Sequence, residues 1–191
     1  MLTDTDLYRA AGASAVVSLI ALVIAGIALA LFFGGAGAFW GPVNDLFTVV
    51  TVLTLILPML AVDRLATDNG AGWIRFVTVA GMLGCVLIAV GQTLLVIGII
   101  DLRTSFVTGG IGLLPVLVWL IALAVLAFGS HAIPTPIGIA ALAVLALIVV
   151  ETIVVAATTG PLPWLASAAL LAALVAWLWV LSTALLARTT A

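Results

Sequence analysis

An all-α bundle of six transmembrane helices with short loops is the fold this sequence predicts, on three observations. Of its 191 residues, 66% are hydrophobic and 6% charged, whereas a soluble domain carries about 25% charge. Six apolar runs are long enough to cross a hydrocarbon core of about 30 Å. Prolines stand at the starts of three of these runs, where a missing N–H costs a helix little. A soluble fold is excluded, because twelve charged side chains cannot coat a chain of this length in water.

The spans are expected at 13–34, 43–62, 73–100, 109–128, 134–157 and 164–187, within one domain covering 1–191. After the first run, Ala36, Gly37 and Ala38 look like a signal-peptidase site, but the run is longer than the roughly 7 to 15 residues of a secretory core. The first helix is therefore read as retained. Pro42 opens the second span and Pro58 should bend it near one end. The third run is too long for a perpendicular helix, so it should tilt or leave Trp73 and Arg75 in the interface. Pro115 should bend the fourth span in its first half, Pro134 and Pro136 open the fifth, and Pro161 and Pro163 open the sixth. Barrel-like alternation is missing, and backbone in lipid must satisfy itself, which leaves helices.

A shift of 91 residues lays the second span on the fifth and Trp73 on Trp164, the spacing of an inverted three-plus-three repeat. The chemistry does not repeat, since Asp45 then meets Pro136 and Glu151 meets Leu60.

Orientation follows the arginines. Arg9, Arg64, Arg75 and Arg188 fall on one side of a six-span topology and Arg103 on the other, so the positive-inside bias puts both termini in the cytoplasm. The expected location is a bacterial or archaeal cell membrane. Tyr8, Trp40, Trp73 and Trp164 fall near span ends, as amphipathic rings should; Trp119, Trp177 and Trp179 sit deeper and are read as packing.

Missing residues remove several chemistries. The chain has no lysine, so no Schiff base forms. His131 and Cys85 are single copies, which cannot supply clustered ligands for zinc, iron–sulfur or bis-histidine haem. Neither a metal nor a cofactor is expected, and Cys85 reads as a buried thiol. A net charge of −2 argues against nucleic acid. The partners implied are the lipid bilayer and other membrane chains.

Gly84, Gly91 and Gly98 recur at seven-residue spacing on the third span, beside Gly81 and Cys85. Small residues let helices approach closely in lipid. That span should be central, with Gly26, Ala30 and Gly34 of the first span as its expected partner face.

Glu151, the only glutamate, interrupts an apolar run seven residues from the outer end of its span, roughly 10 Å below the boundary. A carboxylate at the membrane centre costs about 2.5 to 3.5 kcal/mol on insertion scales, so it is read as a buried glutamate kept by a partner or by function. Gln92 lies at similar depth and is the expected contact. Asn44 and Asp45 begin the second span, and Thr48, Thr51 and Thr54 follow at three-residue steps as a polar ridge descending to that depth. Capping explains Asp45 equally well, and threonines can bond their own helix carbonyls. Asp101 and Arg103 read as a solvated outer pair, and His131 as a loop residue.

Three functions fit. In the first, Asn44, Asp45, Thr48, Thr51, Gln92 and Glu151 line an outward-opening site for a small molecule or proton. The second is an accessory subunit whose polar residues only lock the bundle. The third is a membrane-embedded enzyme acting on a lipid or isoprenoid, with Glu151 and Asp45 as proton donor and acceptor. No spacing selects a reaction, and no catalytic residue is assigned.

Overall fold

A computed structural model describes residues 3–158 and 162–189, all helix or connecting turn. The helices are α1 (Asp4–Phe33), α2 (Trp40–Thr54), α3 (Ile56–Asp68), α4 (Ile74–Val96), α5 (Leu102–Phe128), α6 (Thr135–Ala157) and α7 (Leu162–Ala187). α2 and α3 together form one span, so six segments are long and apolar enough to cross a membrane. The chain is a multi-pass membrane protein in fold.

Several boundaries differ from the expectation. α1 starts nine residues earlier than position 13, because Thr3 and Asp6 form a capping box in which the Thr3 hydroxyl accepts from the Asp6 N–H at 3.2 Å. Hydropathy marks the membrane edge, but a capped helix can run past it. The second span extends through Arg64 to Asp68. α4 ends at Val96 and not at 100, because Gly98 turns left-handed at φ 74° and lets Gly98 N–H and Ile99 N–H bond back to Leu95 O and Leu94 O. α5 starts at Leu102, where the Asp101 side chain accepts from Thr104 N–H at 2.8 Å. Asp101 is thus a helix cap, not simply half of a solvated pair.

The spans close a ring in chain order: α1 packs on α2 and α7, α2 on α4, α4 on α5, α5 on α6, and α6 on α7. Both described ends of the chain lie at one end of the ring, here the terminal end. There Arg64 pairs with Asp4 at 3.3 Å and Asp68 at 3.4 Å, and Arg75 pairs with Asp63 at 3.7 Å. The opposite end is the distal end.

Close approach sets the α4–α5 seam. A Cβ at Gly84 would run into the Gly112 carbonyl and the Pro115 ring, and a Cβ at Gly112 would stand 2.7 Å from Gly84 O. Backbone therefore touches backbone at this crossing. The partner of α4 is α5, not the first span; Gly26 of α1 instead meets Leu171 of α7. α5 carries Pro115 without interruption.

The second span breaks between Thr54 and Ile56. Pro58 has no N–H for the carbonyl four residues earlier, that of Thr54. Ser14 of α1 fills the vacancy, donating its hydroxyl to Thr54 O at 2.5 Å, and Ser18 reaches Thr51 O at 3.2 Å. In lipid, where water cannot replace the missing donor, this cross-helix bond makes the break tolerable.

Packing is dense at the terminal end. α3 packs on α1 and α4 and also reaches α7, so it plugs the ring with Met59, Val62, Leu65 and Ala66. Trp119 and Trp177 meet edge to face with centroids 6.0 Å apart, above Leu123, Leu126, Leu181 and Leu185. Two aromatic residues differ from expectation: Tyr8 is buried against this core, and Trp179 is 60% exposed and not packed.

Candidate functional site

α2, by contrast, buries none of its residues fully, and the distal half of the ring is hollow. A cavity of about 310 Å³ opens among α1, α2, α6 and α7, lined by Asn44, Thr48, Glu151 and Ser167 on its polar side and by Leu22, Gly26, Leu171 and Leu174 on its apolar side. Its carboxylate is held by a neighbour across the α6–α7 hairpin. Ser167 donates its hydroxyl to Glu151 Oε1 at 2.6 Å, a charge-assisted bond. Glu151 is half-buried; among the described residues no charged side chain is fully buried. That corrects the expectation of a buried glutamate. The carboxylate lines the cavity and is not enclosed by packed side chains.

Ser167 was not anticipated. It could have been: Glu151 stands six residues before the end of α6 and Ser167 five after the start of α7, so an antiparallel hairpin brings both to one depth, about 9 Å from the turn.

The threonine ridge satisfies itself. Thr48 donates to Asn44 O at 2.9 Å, Thr51 to Phe47 O at 2.8 Å and Thr54 to Val50 O at 2.7 Å. Asn44 Nδ2 donates to Asp45 Oδ1 at 3.0 Å. Thus Asn44, Thr48 and Glu151 share one cavity, and Asp45 lies behind Asn44 without lining it.

A second chamber of about 270 Å³ occupies the ring centre and draws on all six spans, with Thr51, Val52, Cys85, Ile88, Leu113, Ile148 and Trp177 among its walls. The chambers share Leu22, Thr48, Leu170 and Leu174, so they lie side by side. Its floor is the packed terminal half: Cys85 Sγ lies 4.0 Å from Met59 Sδ beneath it. Gln92 lines neither chamber, and its carbonyl oxygen is buried without a hydrogen-bond partner. α4 and α6 are not neighbours in the ring, and the partner found for Glu151 is Ser167.

An aromatic collar stands at the distal end of α1 and α7, with Trp164 its member that lines the cavity. Phe33 of α1 and Trp164 of α7 meet edge to face at 5.8 Å, and Phe32 meets Phe33 edge to face at 5.2 Å. Asp101 stands apart on its loop, where hydrogen bonds from the Thr104 side chain and backbone hold its carboxyl below the usual 3.8. His131 turns a loop at φ 53°. Among the described residues no cluster could hold a metal ion.

No family model matches this chain, and neither a curated protein nor a solved structure is similar to it. The functional reading rests on the geometry alone.

Proposed function

We propose that this protein binds a small organic molecule in the two-chamber cavity, through a polar site centred on Glu151, and carries or senses it from the distal side of a cell membrane. One observation supports this above the others. Asn44, Thr48, Glu151 and Ser167, from three different helices, converge on a hollow that adjoins an apolar chamber. Ligand sites commonly combine an apolar lining with a few placed polar groups in about 300 to 1,000 Å³. A bundle locked only by its polar residues would need no hollow beside them.

The arginine distribution supports a cytoplasmic terminal end, with the cavity mouth outside. Replacing Cys85 with alanine and introducing Asp68→Cys provides the check: an impermeant maleimide should leave sealed cells unlabelled, and labelling from outside would reverse the orientation.

Binding is tested by filling the space. Leu174 lines both chambers, so Leu174→Trp should occupy them. In a thermal-shift screen of small amphiphilic compounds, at least one class should stabilise the protein and not the Leu174→Trp variant; saturation at a hundredfold excess over Kd corresponds to about 2.7 kcal/mol. Equal responses of both proteins, or none, would remove the reading.

A further inference from the structure

We infer that the ligand is an organic ammonium ion, an N–H-bearing cation on an apolar body, with its head at Glu151 and its body in the central chamber. This rests on the binding role proposed above and specifies its chemistry. The argument is an inventory of hydrogen-bonding capacity. The Ser167 hydroxyl proton is committed to Glu151 Oε1, the Thr48 hydroxyl proton to Asn44 O, and one Asn44 N–H to Asp45. What the polar wall still offers is mainly acceptors: Glu151 Oε2, the Thr48 oxygen lone pairs and Asn44 Oδ1. The remaining donors, the second Asn44 N–H and the Trp164 indole at the rim, carry no charge.

Charge points the same way. Among the described residues Glu151 is the only charged one lining either chamber; α1 and α7 contribute apolar side chains, Ser167 and Trp164, and α2 contributes Asn44, Thr48, Thr51 and Val52. Arg103, at the start of α5, lines neither chamber. An anionic ligand would meet a carboxylate with no cation to offset it. A phospholipid amine would bring its phosphate to the same wall, so the fitting head is a singly charged amine without a phosphate. Trp164, which lines the first chamber, adds an aromatic ring of the kind that attracts cations. Beyond the head lies space walled by Leu, Val, Ile and Trp side chains, which suits a hydrocarbon body.

The experiment uses the full chain in lipid nanodiscs at neutral pH, with empty nanodiscs as the blank and titration calorimetry as the readout. Three probes share one apolar body: phenethylammonium, neutral phenethyl alcohol and anionic hydrocinnamate. Phenethylammonium should bind at least tenfold more tightly than the alcohol, and hydrocinnamate more weakly than either. Glu151→Gln, which keeps the shape, should cost phenethylammonium at least tenfold while leaving the alcohol within twofold. An alcohol or hydrocinnamate affinity equal to that of the ammonium overturns the inference, as does a Glu151→Gln variant that binds the ammonium as the parent does. If Glu151→Gln fails to fold, Thr48→Val takes its place: at least threefold weaker ammonium binding is expected, and an unchanged affinity overturns. These failures are separable from failure of the cavity reading. Selectivity can be lost while Leu174→Trp still abolishes binding, whereas probes indifferent to Leu174→Trp would sink the cavity itself.

Discussion

α2 and α3 are consecutive halves of one span, yet α3 buries six of its thirteen residues and α2 buries none. The same division runs through the whole ring. At the terminal end, side chains from α3, α5 and α7 fill the centre; towards the distal end α1, α2, α4, α5, α6 and α7 stand around empty space. In a membrane no hydrophobic drive pulls helices together, so association depends on close contact. One half can therefore be hollow only because the other half is solid. The carboxylate sits in the hollow half, where reorganisation disturbs least of the packing.

Mutations should separate the halves. The largest effect belongs to the solid half: Trp119→Ala removes a fully buried ring that stacks on Trp177 and should cost about 3–5 kcal/mol, measured by unfolding of the purified protein in mixed detergent. A loss below 1 kcal/mol would mean that the terminal half does not carry the fold. Next comes the junction. Ser14→Ala leaves Thr54 O without its cross-helix donor and should cost about 1–3 kcal/mol; if Ser14→Ala unfolds at the parent's midpoint, the α2–α3 break needs no support from α1. The smallest effect lies at the distal rim. Because the Asp101 carboxyl is held below its ordinary value, the stability it contributes is present above about pH 3.8 and lost as the pH falls through the lower folded value. Asp101→Asn should flatten that part of the decline in unfolding midpoint between about pH 5 and about pH 3, and identical profiles would show that the cap is not formed in solution.

Six spans and the approximate depth of Glu151, Asn44 and Thr48 were legible because hydrocarbon thickness and helix rise are fixed lengths. Facing was not. α6 and α7 are apolar almost all round, so nothing in their sequences marks which side meets a neighbour, and the pairing of Glu151 with Gln92 rests on common depth and on the small Gly91 beside Gln92. Ring order decides that pairing: α6 lies between α5 and α7, which puts Ser167 beside the carboxylate. Pro58 predicts a bend near one end of the second span, whereas the full break at Leu55 and its remedy from Ser14 depend on α1 and α2 being adjacent, a tertiary fact. The early start of α1 was missed because Asp4, Asp6 and Arg9 lower hydropathy while the Thr3–Asp6 box favours helix.

The interruption at Leu55 also divides the second span mechanically. α3 is anchored in the solid half, while α2 carries Asn44 and Thr48 on an arm of fifteen residues, about 22 Å long. A pivot of about 10° at its base would carry the Trp40 end through about 4 Å, more than the width of a water molecule. Because Pro58 offers the Thr54 carbonyl no N–H and Ser14 supplies its hydrogen bond, the fulcrum holds one intrahelical bond fewer than a continuous helix, with Leu55 N–H to Thr51 O and Met59 N–H to Leu55 O remaining. The arm ends beside the Phe32 ring, which lies against Gly41, so the same displacement that widens the mouth also loosens one edge of the aromatic collar.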